Sequence, residues 1–141
     1  INTKLRNQIN EEIKIDKNSY LNFKKILNQN KKKLSNLLSK KKYLVYGYGC
    51  SVGAISVIKA YGLENKIFKI FDDKPIVNKI NFGKKQIEIK KFDKIKFNND
   101  RKVILNLIPR HHKIIFSKIK KSMRKGDIFI NTINNLEIRK F

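Results

Sequence analysis

The chain has 141 residues, a single cysteine and a formal net charge of +23, from 34 Lys and Arg set against 11 Asp and Glu. That length suits one domain with a real core. Cys50 alone rules out an internal disulfide and cannot build a zinc site, and no long uncharged apolar run is present to span a membrane.

The charge attracts polyanions of any kind. Most of the basic residues are lysine and accompany abundant Ile and Asn, a trio with A/T-rich codons, so genome composition is a sufficient source. The lysines are spread over every segment. The clusters Lys31–Lys33, Lys40–Lys42 and Lys118–Lys125 lie in or beside predicted helices, where solvated faces carry charge. A nucleic-acid reader should instead show a basic stripe with reading residues, so nucleic acid is the weaker expectation and a small polyanion fits as well. The chain opens on Ile1, as a fragment or processed chain would, and the opening segment has no apolar signal core. A cytoplasmic location is the default expectation.

In chain order, Leu5, Ile9 and Ile13 recur every four residues and mark a weak helix or ordered leader over 1–17. Tyr20, Phe23, Leu27, Leu34 and Leu38 predict an amphipathic helix from Asn18 to Ser39, with Asp16, Asn18 or Ser19 as its N-cap. Lys40–Lys42 would close it at the negative end of its dipole. Tyr43-Leu44-Val45-Tyr46 predicts a buried strand stopping at Gly47. Ser51 then caps a helix that turns Ile55, Ile58 and Tyr61 inward and ends at Gly62.

Ile67 to Phe71 predicts the second strand, ending at Asp72-Asp73, with a turn at Lys74-Pro75. Residues 76–85 look irregular around Gly83. Gln86 to Ile89 predicts a short strand, Phe92 to Ile95 a weak helical turn, and Asn98-Asn99-Asp100 a loop. Val103 to Ile108 predicts a strongly apolar strand ended by Pro109. His112 to Arg124 predicts a helix with Ile115, Ile119 and Met123 inward. Gly126-Asp127 turns the chain into the strand Ile128-Phe129-Ile130, and Leu136 to Phe141 alternates as an edge strand would.

Short, continuously apolar strands alternating with helices predict an α/β fold: a Rossmann-like three-layer domain with a mostly parallel sheet, preceded by an N-terminal helix. The expected division is a helical segment, 1–39, packing on a nucleotide- or substrate-binding domain, 40–141.

Gly47-Tyr48-Gly49-Cys50-Ser51-Val52-Gly53 follows a strand and opens a helix, the context of a phosphate-cradling turn. In such a turn the first glycine permits the bend, the second lets backbone N–H groups approach a phosphate, and the third lets the helix pack on the strand. The helix N-terminus supplies unpaired donors and partial positive charge. The alternative is a structural turn whose glycines serve packing alone. Asp72 and Asp73, at the end of the second strand, are placed to accept from a ribose or to cap the turn before Pro75.

An acidic residue expected before the first glycine of a common methyl-donor site is replaced by Tyr46, which argues against S-adenosylmethionine at this turn. No Tyr-x-x-x-Lys pair supports nicotinamide chemistry. Arg110 and His111, with His112, follow the fourth strand, at the edge where open α/β sheets bind ligands; they serve as phosphate contacts or acid–base groups, or as a solvated loop. Tyr46 and Tyr48 flank the turn, as base-stacking groups or as core. A helix N-terminus at Cys50 would lower its thiol pKa, but with no partner nearby packing is the expected role. No metal site and no catalytic constellation is expected.

The runs from Val45 to Gly53 and Phe71-Asp72-Asp73-Lys74-Pro75 resemble the C-terminal domain of the sugar C-methyltransferases, S-adenosylmethionine-dependent enzymes. That domain has a "GYGA"-like turn, a "vDDnP"-like segment and a glycine before its last strand, here Gly126 ahead of Ile128 to Ile130. The likeness runs from about residue 18 onward. It implies a Rossmann-like domain that helps hold a nucleotide-linked sugar. The methyl donor, catalytic residues and zinc segment would belong to preceding domains. Cys50 in place of alanine, and Pro109-Arg110-His111-His112 in place of an aromatic-containing loop, depart from the pattern.

The resemblance implies that Gly47, Gly49, Ser51 and Gly53 approach the phosphate, Asp72 or Asp73 the ribose or base, and Arg110 with His111 the outer phosphate or sugar, with Tyr48 and Cys50 also in the substrate- or nucleotide-binding turn. The alternatives are a standalone Rossmann-like nucleotide-binding or regulatory module and, less favoured, a basic nucleic-acid-binding protein.

Overall fold

The computed structural model describes residues 3–39, 43–92, 101–132 and 136–141. Helix α1 (Thr3–Ser39) leads into β1 (Leu44–Tyr48), α2 (Val52–Tyr61), β2 (Lys69–Asp72), β3 (Lys79–Phe82) and β4 (Lys85–Lys91). After β5 (Lys102–Asn106) come a 3-10 turn (Pro109–His111), α3 (His112–Ile119), a second 3-10 turn (Lys120–Ser122), β6 (Ile128–Asn131) and β7 (Glu137–Lys140). The seven strands form one sheet in the order β3-β4-β2-β1-β5-β6-β7. The five inner strands are parallel, and both edge strands, β3 and β7, are antiparallel to their neighbours. The fold is therefore α/β with a mostly parallel sheet.

Strand pleating sends alternate side chains to opposite faces, so each strand feeds two cores. Val45, Ile70, Val103, Leu105 and Ile130 join Leu34 and Leu38 of α1 and Ala54, Ile58 and Tyr61 of α2. Tyr46, Tyr48, Phe71, Ile104 and Phe129 face Ile115 and Ile119 of α3 on the other side. Helices on both faces explain why the central strands β1, β5 and β6 are buried almost throughout.

At the base of the sheet Lys102 and Asp127 are both buried and form an ion pair. Asp127 also accepts from the backbone N–H groups of Lys102, at 3.1 Å, and Arg124, at 2.7 Å. The carboxylate thus ties the start of β5 to the loop before β6.

Several boundaries differ from the sequence expectations. With neither Gly nor Pro before residue 47, nothing interrupts the first helix. It is continuous from Thr3, and Asp16, Asn18 and Ser19 lie within it rather than capping it. Its stripe is only half used: Leu34 and Leu38 are buried, whereas Tyr20 and Phe23 are 62% and 56% exposed. The side chains of Leu5, Ile9 and Ile13 lie outside the described ones.

β1 does not stop at Gly47, because parallel pairing to Ile70 and Leu105 carries it on to Tyr48. The 76–85 stretch contains a strand, β3, that pairs with a longer β4 across Gly83-Lys84; only Ile80 is buried in β3, too little pattern to read. β5 ends at Asn106 instead of Ile108, and α3 tightens into a 3-10 turn after Ile119. The edge strand near the end is present as β7. Lys40–Lys42, residues 93–95 of the expected helical turn and the Asn98-Asn99-Asp100 loop lie outside the described residues. Among the described residues no helix is long and apolar enough to cross a membrane.

Candidate functional site

Among the parallel strands the order is β4-β2-β1-β5-β6, and successive strands are added in opposite directions on either side of the β1/β5 pair. In open α/β folds such a reversal splays the connecting loops apart and makes the carboxyl edge of the two strands the usual ligand position. The end of β1, the start of α2, the end of β2 and the turn after β5 all converge on it.

The expected bend at Gly47 is absent. Gly47 is buried inside β1, where an added Cβ would lie 2.7 Å from Leu107 Cδ1 and 3.0 Å from Ile70 Cγ1. Its lack of a side chain serves packing on the α1/α2 face. Gly49 makes the turn, with φ at +94° and a Cβ position 2.2 Å from Ile108 Cγ1. Gly53 is exposed and a Cβ there would meet only Ser51 Oγ at 3.6 Å, so close helix–strand packing does not require it.

The donors in the turn are partly used by the protein itself. Gly49 N–H donates to the Phe71 carbonyl at 2.7 Å, and Cys50 N–H donates to Asp72 Oδ2 at 2.7 Å. Ser51 caps α2 as expected: its Oγ accepts from Ala54 N–H at 3.2 Å, while Gly62 closes the helix in the left-handed region. The N–H groups of Val52 and Gly53, in the first turn of α2, have no carbonyl within the helix to receive them. Val52, 84% exposed, was not singled out by sequence reasoning. Its signal was its place as first helical residue after a capping serine.

Asp72 accepts from Cys50 on one oxygen and from Lys74 N–H, at 2.8 Å, on the other. A carboxylate has about four acceptor positions, so Asp72 retains capacity for a ligand hydroxyl while shaping the turn. Asp73 ties the end of β2 to α3: Tyr48 Oη donates to one oxygen at 2.6 Å and Lys118 Nζ, from α3, to the other at 2.6 Å. Partial burial pushes the Asp73 carboxyl up, but the Lys118 and Tyr48 hydrogen bonds and the Lys118 and Lys74 charges more than reverse this, leaving it below its ordinary value. Burial, then the bond and charge of Asp73, push the Tyr48 hydroxyl up.

Tyr48 is 3% exposed with its ring edge-on to Phe92 at 5.2 Å, and Tyr46 packs on Phe71 at 5.4 Å. Both rings are core and not available to stack on a base. The Cys50 thiol is pushed up by burial and by the Asp72 charge, opposite to what a helix N-terminus alone predicts.

At the same sheet edge, Arg110 and His111 lie exposed on the 3-10 turn that follows β5. Asn106, at the end of β5, sets the path of that turn: its Oδ1 receives Ile108 N–H at 3.0 Å, which seats Ile108 over Gly49. Asn106 Nδ2 donates to Asn131 Oδ1 at 2.8 Å, and its carbonyl receives the Thr132 hydroxyl at 2.6 Å. Sequence reasoning passed over Asn106, although a lone Asn closing an apolar strand was a visible signal. Among the described residues no group of three or more His, Cys, Asp or Glu side chains is placed to hold a metal.

A mostly parallel sheet with a switch point between β1 and β5 and helices on both faces define an α/β domain of the Rossmann-like class. A family model for the C-methyltransferase C-terminal domain matches residues 2–133. The chain belongs to that family. No curated protein matches the chain.

Proposed function

We propose that this domain holds a nucleotide-linked sugar for a C-methyltransferase, binding its phosphates at the start of α2. The observation that carries the reading is the start of α2 at the switch point, where the N–H groups of Val52 and Gly53 lie in the first turn and Arg110 and His111 stand on the turn after the neighbouring β5. Ser51 Oγ–H adds a donor, and Asp72 offers spare acceptor capacity to a ribose hydroxyl. The high positive charge favours an anionic ligand. In this reading residues 1–39 form a helical segment on a binding domain, 40–141. The methyl-donor domain is a partner elsewhere in the same cytoplasmic enzyme.

The residues present do not fit S-adenosylmethionine at this turn. The position before Gly47 holds Tyr46, buried between aromatic rings, and the two turn N–H groups nearest it are spent on β2. Methyl-donor chemistry is therefore assigned to the partner domain.

The test is a thermal-shift panel of nucleotide sugars, nicotinamide cofactors, S-adenosylmethionine and a short DNA duplex at near-physiological salt. A true ligand at a hundred times its Kd stabilises by about 2.7 kcal/mol, on the order of 8 °C for a domain of this size. Val52→Glu is the informative variant. A glutamate in the first turn favours α2 itself by about 0.3–1 kcal/mol, yet opposes a bound phosphate. Loss of the nucleotide-sugar shift in a variant with unchanged or higher Tm is the expected result. A shift that survives Val52→Glu, or a response to DNA alone, refutes the proposal.

A further inference from the structure

Tyr48, Asn106, Asn131 and Glu137 stand in one row across the carboxyl end of the sheet, each the register partner of the next. Register partners turn their side chains to the same face, here the face that α3 covers. Two strand spacings, about 10 Å, separate Tyr48 from Asn131. Asn106 and Asn131 are both fully buried.

The hydrogen bonds of the row fix which way each amide points. Ile108 N–H occupies Asn106 Oδ1, so Asn106 offers Nδ2 to Asn131, and Asn131 answers with Oδ1. That leaves Asn131 Nδ2 turned away from β5, buried and without a hydrogen-bond partner. A buried donor left unmet costs more than a typical hydrogen bond gains. Across from it on β7 is Glu137. Both bonds from Arg139, at 2.9 and 2.5 Å, go to Glu137 Oε1, so Oε2 is left uncommitted. The Arg139 bond holds the Glu137 carboxyl below its ordinary value against the opposing effect of burial, and the Arg139 and His112 charges and the Asn131 amide lower it further. The amide therefore acts on the carboxylate, although no bond of proper geometry closes between them.

The geometry points to Asn131 Nδ2 and Glu137 Oε2 as the pair that holds a hydroxyl of the ligand's sugar. A hydroxyl accepts from the amide and donates to the carboxylate, so one atom meets both. A phosphate is repelled by Glu137, and a keto oxygen leaves the carboxylate unmet. The Glu137 side chain is 36% exposed, and a turn of it opens the amide to an incoming atom. The placement deepens the proposed function and rests on it. With phosphates at the start of α2, the span from β1 to β6 is the reach of a diphosphate and one sugar ring. Asp72, on the far side of β1, is left for the ribose.

The experiment measures Kd by titration calorimetry for UDP, dTDP, ADP and GDP, each against its glucose conjugate, at near-physiological salt. The expected result is that one conjugate binds more tightly than its own diphosphate. Glu137→Ala, at a half-exposed edge position, should weaken that conjugate about tenfold and leave the diphosphate unchanged. The Asn131 side-chain amide protons, assigned by NMR from the Asn131 backbone, should shift with the conjugate and not with the diphosphate.

A conjugate that binds no better than its diphosphate overturns the inference and leaves the phosphate site standing. So does a Glu137→Ala variant that weakens both alike, which marks a structural role, or one that weakens neither. Asn131 amide protons indifferent to the conjugate overturn it too. If neither diphosphates nor conjugates bind, this inference and the proposed function fall together.

Discussion

Replacing Gly49 with alanine separates two reasons for a glycine at the head of the turn. The first is conformational: at φ +94° an L side chain is strained, at a cost of about 1–2 kcal/mol. The second is steric, because the new Cβ would stand 2.2 and 2.3 Å from Ile108 Cγ1 and Cδ1. Overpacking of that kind costs about 1–3 kcal/mol once the neighbour has shifted. Gly49→Ala should therefore destabilise by about 2–5 kcal/mol in the absence of any ligand. Ile108→Ala, at a half-buried position, should cost about 1–2 kcal/mol, less than full core truncation.

The double variant lacks the two atoms that obstruct the alanine. Ile108 Cβ, which remains, stands 3.4 Å away, at the edge of ordinary contact. The pair should fall short of the summed single costs by about 1–3 kcal/mol. Urea unfolding followed by circular dichroism, with m-values held equal, measures the cycle. Additivity within about 0.5 kcal/mol would refute the reasoning, because it would mean that Ile108 does not rest on Gly49. The same strain makes Gly49 a poor place to test ligand binding, since loss of binding there is confounded with loss of fold.

Asp127→Ala should cost about 3–5 kcal/mol in the same assay, because it removes the carboxylate that receives the buried Lys102 ammonium and two backbone N–H groups. The Tyr48 hydroxyl, raised in the folded state, contributes stability that is complete below the ordinary phenol pKa of about 10 and lost as pH rises beyond it. Tyr48→Phe should flatten that alkaline decline, read as Tm against pH from 8 to 11. Asp73, lowered in the folded state, contributes stability present above the ordinary carboxylate range and lost as pH falls through it. Asp73→Asn should weaken the dependence of Tm between pH 5 and 3, by a small amount because half of the side chain faces solvent.

Where the sequence patterns are strong the fold is legible. β1, β5 and β6 are apolar runs bounded by charge or turn residues, and Ser51 and Gly62 delimit α2 by residue type alone. β3 escaped because an edge strand with one buried residue, Ile80, has no period to display. The continuity of α1 was visible in the lack of breakers but obscured by three capping residue types, Asp16, Asn18 and Ser19. Those side chains compete for backbone groups only when the helix has a reason to end there.

The site was legible in place more than in detail. Gly49, Ser51, Asp72 and the Arg110-His111 turn do gather at one edge, as strand–helix order dictates. Which N–H groups are already spent depends on Phe71 and Asp72, some 22 residues away from the turn, and the link from Tyr48 through Asp73 to Lys118 spans 45 residues between its acidic and basic ends. Pairings at such separations leave no local trace. Gly47 and Gly53 show the limit of a motif: its spacing marked a turn, but the side chains from neighbouring strands decide what each glycine is for.

The Asp72 carboxylate, gripping Cys50 on one side and Lys74 on the other, has a kinetic consequence. On the proposed reading, the turn that receives a ligand is already braced from below, so little loop entropy remains to be lost at the moment of encounter. Capture should then proceed as a single step, quickened by long-range attraction and slowed by salt. Discrimination among anions that fit the crevice should appear in how long each one stays.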